Sequence, residues 1–456
     1  MASFRARHAS LAQALGNLSL LVSAGQLQSR NYAGNPYPFR ASSHFIYLAG
    51  QRGPGAYFLL HQHHAHLFLP ETTMDDLIWS GPGEEWGPIA DLTGCQLHPL
   101  AQLATFIAEI DPQNLAVIPH PDLRSNQVLA ELVGRYPSLE DERDRLGAQA
   151  LLNLRLYADA DAQSELQMAC DLTVEAHLAA LNALPRAQSE SDIAAAMARV
   201  ITQAGGTFSF IPIITTCGER LHQVRLGNLL QADRLLLVDV GAETASGWGG
   251  DVTNTWPVSG RYSSSQALIY NLVLDVHRQV RAELRPGLEY KALHSMAHKL
   301  FTEGLAQLGI LRGGTVEEYL EQNVASLFFP HGIGHLLGLD PHDMEDLGDL
   351  AGYAPGRRRD PRFGWSSLRL DRQLDEGMVV TVEPGLYFIP ELWEAPQFKE
   401  LAHKYLDRER LQEFSDVHGV RIERDYLITP VGHELLTPDM PTTVEEIEKY
   451  IAERKG

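Results

Sequence analysis

Apolar positions along this chain follow two rhythms, and the rhythm changes near residue 158. Before that point, short apolar runs between turn residues predict strands over residues 18–22, 44–48, 57–60, 67–69 and 115–118, with helical spacing only over 9–15. After it, residues 164–184 place Leu166, Met168, Leu172, Val174 and Leu178 at helical intervals, and Pro185 closes the run. Residues 191–203 repeat the pattern and stop at Gly205-Gly206. Two further helices, 264–283 and 290–308, are separated by Arg285-Pro286-Gly287. Buried strands are predicted over 234–240 and within 377–388. A third covers 418–429, where period-two alternation puts Arg421 and Glu423 on one face.

Composition narrows what such a chain does. Its 456 residues fit one large and one smaller domain, and 44% hydrophobic content supplies ample cores. A net charge of -21 disfavours nucleic acid and anionic membranes as partners. No apolar run is long enough to span a bilayer. Cys95, Cys170 and Cys217 are odd in number and widely spaced, which points to a reducing, cytoplasmic setting without a disulfide framework. No acid precedes Glu71, whereas Arg5, Arg7, Arg30, Arg40 and Arg52 do; we read this start as the basic face of a folded domain, not a transit peptide. The charge run 140–145 reads as a solvated face.

Candidate chemistry gathers in the second half. Residues 328–343, F-F-P-H-G-I-G-H-L-L-G-L-D-P-H-D, hold His331, His335 and His342 among glycines, with Leu336, Leu337 and Leu339 as core anchors. Asp239 ends an apolar strand, and Asp251 follows a glycine-rich turn. Glu383 ends another strand just before Pro384-Gly385, and Glu423 lies in the last one. Acids in apolar strands are costly unless paired or bound to a cation. Four buried carboxylates balance two divalent ions, and an oxygen-rich set with one imidazole suits Mn(II), with Co(II), Zn(II) or Fe(II) as alternatives. A second histidine cluster, His61, His63, His64 and His66, has apolar runs on both sides and no carboxylate nearby, so it reads as a hairpin tip.

Four segments, D-V-G…G-G-D-V-T-N-T-W-P, H-G-I-G-H-L-L-G-L-D-P-H-D, T-V-E-P-G-L-Y-F and G-V-R-I-E-R-D, resemble those of the pita-bread metallopeptidases. That family includes methionine aminopeptidase, aminopeptidase P and prolidase. Residues 30–50 resemble the N-terminal domain of the last two. The resemblance implies an α+β chain: a creatinase/prolidase-like α/β domain over residues 1–158, then a pita-bread metallopeptidase domain over 159–456. It also implies two metal ions held by Asp239, Asp251, His335, Glu383 and Glu423, with Asp251 and Glu423 bridging. On the same resemblance, a hydroxide between them would attack the carbonyl before proline, and Glu383 would relay the proton. By the same resemblance, His331 and His342 would steady the substrate, His222 and Arg421 would bind and orient it, and Arg369 would take its terminal carboxylate.

The intervals from His342 to Glu383 (41 residues) and from Glu383 to Glu423 (40) look closest to prolidase. The expected substrates are therefore small peptides with proline second, Xaa-Pro dipeptides first, and the expected assembly is a homodimer. Aminopeptidase P action on longer peptides is the alternative, followed by a metal-free binding module and a metal-free C–N hydrolase of the creatinase kind. One departure stands out. Asp239 and Asp251 are twelve apart, one more than the family's usual spacing, and residues 247–250 are expected to absorb the extra one as a bulge.

Overall fold

The structure is a computed structural model that describes residues 2–454. The chain forms two compact units. The first is Met1–Ala162 with the segment Met344–Ala351, and the second is Gln163–Asp343 with Gly352–Gly456. The division falls inside the first turn of the helix Ala160–Ala183. No helix among the described residues is long and apolar enough to cross a membrane.

The first unit is built on a five-stranded mixed sheet in the order Gln96–Pro99, His64–Leu69, Tyr57–His61, Ser19–Ser23, Leu115–Val117. Leu21, Leu59, Phe68 and Val117 pack a core with Leu103 and Leu129 from flanking helices. His61 and His64 are partners across a two-residue hairpin turn, in which Gln62 and His63 have the positive φ that such turns require. Residues 44–48 are not a strand, contrary to the pattern's prediction. They lie in the helix Ser43–Ala49, all seven residues of which are buried. Burial on every side erases the polar positions that distinguish the two periods, and a short apolar run then fits either. The backbone settles it: Ile46 N–H donates to Ser42 O at 2.9 Å, and Gly50, at φ 71°, ends the turn. The acidic run at 140–145 is also less exposed than its charge suggests. Asp144 is fully buried, accepting hydrogen bonds from Arg135 and from Val117 N–H.

The second unit combines small antiparallel sheets with helices. One sheet orders Val252–Pro257, Leu235–Val240 and Ile213–Thr215; another orders Val379–Val382, Arg424–Thr429 and Gly432–Leu435. The helices Ser264–Ala282 and Tyr290–Gln307 present buried faces that include Ile269, Val273, Leu293 and Phe301. The stretch 418–429 is two strands, Gly419–Arg421 and Arg424–Thr429, not one. Its partner is interrupted at the same level. Val379–Val382 pairs with the second strand and Gly385–Tyr387 with the first, leaving Glu383 and Pro384 opposite Ile422 and Glu423. Proline has no N–H to continue a ladder. Ile422 N–H instead reaches Pro384 O, and Glu423 N–H reaches Thr253 O at 3.0 Å in the neighbouring sheet. This matched break turns two acids out of their ladders at one place.

Candidate metal centre

Each of the five expected ligands is placed by a backbone feature. Asp239 lies opposite Thr253 in the antiparallel pair of Leu235–Val240 and Val252–Pro257. The connection between these strands folds through Ala242–Glu243, a bridge from Glu243 to Gly249, and a turn at Gly247, φ 94°. It delivers Asp251 just before the second strand. The histidine segment lies along Val379–Val382: Thr381 N–H donates to His335 O at 3.0 Å, and Glu383 N–H to Ile333 O at 2.8 Å. Gly334 permits that approach, since a Cβ there would collide with the Tyr290 hydroxyl and Thr381 O.

The side chains converge. His335 Nε2 lies 3.5 Å from Asp251 Oδ2, 3.7 Å from Glu423 Oε1 and 3.8 Å from Glu383 Oε1. Asp251, His335 and Glu423 are buried and hold one donor atom each within 4.8 Å of one another. Asp239 joins them through Arg421, which donates to Asp239, to Tyr387 Oη at 2.6 Å and to Thr253 Oγ1 at 3.2 Å. Thr253 in turn donates to Glu423 Oε2 at 2.8 Å. His335 Nδ1 sits 2.9 Å from Leu336 O. A proton on Nδ1 satisfies that carbonyl and leaves the Nε2 lone pair facing the acids, the tautomer a metal ligand needs.

Crowding perturbs every acid in the cluster. Burial, then the Glu423 and Asp239 charges, push the Asp251 carboxyl well up. Burial lifts Asp239 to about 6 against the opposing Arg421 charge, and burial plus Glu423 lift Glu383 to about 8. Burial alone would lower His335, but Glu423 and Glu383 outweigh it and raise it to about 9. Burial also opposes ionisation of Glu423, yet its His335, Arg421 and Thr253 contacts prevail and hold it low.

A cavity of about 850 Å³ opens above this floor. Phe210, Ile211, Ile213, Leu221 and Val224 form an apolar wall; His222, His331, His342 and Arg369 are polar liners. His331 Nε2 is 2.9 Å from Tyr387 Oη, and its Nδ1 is 3.5 Å from Glu383 Oε2. The His342 ring lies 4.3 Å from that of His335. Burial lowers His331 to about 3 and, with the His335 charge, His342 to about 2, so both are neutral at working pH. His222 is lowered too, by partial burial and then by Arg421 and Arg369.

Residues 164–430 match the sequence pattern of metallopeptidase family M24, and residues 4–116 match that of the aminopeptidase P N-terminal domain. The chain belongs to metallopeptidase family M24. It is 32% identical over 431 residues to a probable Xaa-Pro aminopeptidase of Talaromyces marneffei, covering 91% of this chain and 88% of that protein. Similarity to a Verticillium alfalfae protein, also named a probable Xaa-Pro aminopeptidase, is 32% over 428 residues, with the same coverage of each chain. In fold it is similar to Pseudomonas aeruginosa aminopeptidase PepP, with a TM-score of 0.80, 24% identity and coverage of 100% of this chain and 98% of that one. The fold is thus the pita-bread fold of this family, behind an N-terminal domain of the aminopeptidase P type.

The M24 family implies divalent metal, and this donor set fits it. Asp239 Oδ1 and Asp251 Oδ1 are buried without a hydrogen-bond partner in the protein. Orphaned carboxylate oxygens beside further acids are unfavourable unless a cation joins them. The sequence reading overlooked Thr253, Tyr387 and Asp425. Thr253 was within reach, since period two from Asp251 puts it on the same side of the strand. Tyr387 and Asp425 were not. Tyr387 becomes relevant only when the paired break brings Arg421 beneath it. Asp425 accepts from Asp251 N–H at 3.1 Å and from Cys170 Sγ at 3.3 Å, the latter a helical residue far away in sequence.

Proposed function

We propose that this M24 metallopeptidase removes the N-terminal residue from peptides whose second residue is proline, acting on chains longer than a dipeptide. The observation that carries the peptidase chemistry is the convergence of Asp251, His335 and Glu423, with Glu383 and Asp239 alongside, beneath a cavity with an apolar wall. The length preference rests on two supports. Relatives spanning most of the chain are named Xaa-Pro aminopeptidases. The cavity volume, about 850 Å³, lies high in the range of about 300–1,000 Å³ for small-molecule sites and leaves room past a second residue. The dipeptide preference suggested by the sequence intervals takes second place.

Asp239, Asp251, His335, Glu383 and Glu423 would hold two divalent ions. Such a pair supplies an acidified water and electrophilic stabilisation of the scissile carbonyl. The chain's own residues do the remainder. Glu383 Oε2, beside His331, accepts the water's proton and returns it to the proline nitrogen as the bond breaks. Neutral His331 and His342 line the cavity beside the substrate carbonyl region, with His331 held by Tyr387 Oη at Nε2 and by Gly332 O at Nδ1. Arg421, 3% exposed, fixes Asp239 and Tyr387. Arg369 offers positive charge to a carbonyl or carboxylate further along the peptide. His222 and the apolar residues complete the wall around the peptide.

The test is product analysis. Protein loaded with Mn(II) should release free Xaa from Xaa-Pro-Yaa, lose that activity in strong chelator, and leave Xaa-Ala-Yaa nearly untouched. Undiminished activity after chelation and dialysis, or equal cleavage of the alanine peptide, would refute the reading.

A further inference from the structure

The cavity wall that carries Leu221, His222 and Val224 belongs to a stretch, 217–226, with no regular secondary structure. Arg220 and Arg225 on it are exposed. Such a stretch needs an external hold to keep a fixed shape. That hold is Glu190. Its side chain is fully buried. Oε1 accepts from Thr216 N–H at 2.8 Å, Thr216 Oγ1 at 3.3 Å and Asn228 Nδ2 at 2.8 Å. Oε2 accepts from Gly227 N–H at 3.1 Å and Asn228 N–H at 3.0 Å. One carboxylate therefore ties together both ends of the stretch.

Glu190 is the first residue of the helix Glu190–Gln203, where an acid also favours the helix dipole. Capping does not explain it. Ser189 and Asp192 already form the capping box, and the carboxylate's five bonds all go to the neighbouring stretch. Burying an ionised carboxylate is expensive, so its bonds must secure something the helix itself does not need. The surroundings share the task. Ser191 Oγ donates to Leu226 O at 2.7 Å, Glu190 N–H donates to Asn228 O at 3.1 Å, and Glu219 faces His418 at 3.1 Å.

We infer that Glu190 is a positioning residue for peptide binding: it clasps both ends of the 217–226 stretch so that His222, Leu221 and Val224 stand as a fixed wall against the substrate. This rests on the peptidase reading above. Glu190 touches none of the expected metal ligands, so its loss acts on the Michaelis complex and not on the metal or the proton transfer.

The test uses the full chain with Mn(II), comparing wild type with E190Q and N228A. Glutamine turns an NH2 group toward backbone donors, and N228A removes one of the five bonds to the carboxylate together with the Asn228 contact to Cys217 Sγ. For E190Q, KM for an Xaa-Pro-Yaa peptide should rise about tenfold or more, the scale of losing a hydrogen bond to a charged group. Turnover should stay within about threefold, since the groups that move protons are untouched. Metal content should not change. Trypsin should cut faster after Arg220 or Arg225. N228A should shift KM and cleavage in the same direction by less, and it decides the matter if E190Q does not fold. Unchanged KM and unchanged trypsin sensitivity in a folded variant would overturn the inference, as would a fall in turnover at constant KM. Trypsin sensitivity and metal content need no substrate. An inactive wild type would therefore sink the peptidase reading and the peptide-binding role with it, whereas an active wild type with an unaltered E190Q would sink the clasp alone.

Discussion

Thr253→Val removes a single hydroxyl while keeping the side chain's shape, and it probes how the bridging region is held. Thr253 is fully buried opposite Asp239. Its hydroxyl donates to Glu423 Oε2 at 2.8 Å and accepts from Arg421 Nε at 3.2 Å. Both partners are charged, and a hydrogen bond to a charged group is worth about 1.5–3 kcal/mol. Two such bonds set a ceiling of about 6 kcal/mol. Arg421 keeps Asp239 and Tyr387, and Glu423 keeps its backbone bond to Thr253 O, which valine preserves. The loss in folding stability should therefore be nearer about 2 kcal/mol, the scale of one such bond. Metal affinity should fall by a comparable free energy, because Glu423 loses the contact that fixes its carboxylate. Replacing a partner that orients a metal ligand typically costs about 10- to 100-fold in affinity. Competition against a chromophoric chelator reads that affinity, and chemical denaturation of the metal-free protein reads the stability. If T253V binds Mn(II) within about twofold of wild type, Glu423 is not a ligand oriented by Thr253, and the reasoning fails.

Two further outcomes follow from the same geometry. Glu383→Gln should depress turnover by about 10²- to 10⁴-fold with a smaller effect on KM, the usual contribution of general acid–base catalysis; a variant within about tenfold of wild type would remove Glu383 from proton transfer. The metal-free acid cluster should contribute less stability as pH rises, while the neutral buried histidines, His331 and His342 among them, add stability as pH climbs through about 6.5 in loaded and stripped protein alike. Asp239, Asp251 and Glu383 have carboxyls raised above their unfolded values, so the folded state holds more protons from about pH 4, where unfolded carboxyls titrate, up to about 8 for Glu383. His335, raised to about 9, acts in the same direction: its contribution is complete below about pH 6.5 and lost as pH climbs through 9. Glu423, held low, opposes only on the acid side. The stabilisation that Mn(II) brings should therefore be larger at pH 8.5 than at pH 5.5, and a gap between loaded and stripped protein that ignores pH would contradict the cluster's electrostatics.

Much of the second unit was legible in the sequence because its chemistry interrupts otherwise apolar strands. Asp239 stands out between valines, Glu383 directly follows an apolar strand and Glu423 follows Ile422; Asp239 and Glu423 are buried, and Glu383 is half-buried in the strand break. What stayed hidden depends on pairing between distant segments. The break at 422–423 answers the break at 383–384, and periodicity within one strand has no access to its partner's proline. The helix Ser43–Ala49 escaped for a related reason: every residue is buried, so no polar position marks the turn. Glu190 lies just outside the predicted helix 191–203, and no feature of the pattern marks it. Its role appears only once the backbone of 216 and 227–228 folds onto it.

The relative rate on two lengths of substrate tests the central claim most directly. Mn(II)-loaded protein would be given Xaa-Pro and Xaa-Pro-Yaa with the same first residue, and kcat/KM measured for each. An aminopeptidase acting through this cavity should favour the longer peptide. If the dipeptide is cleaved faster, the aminopeptidase reading gives way to a dipeptidase, with Arg369 as the anchor of its terminal carboxylate.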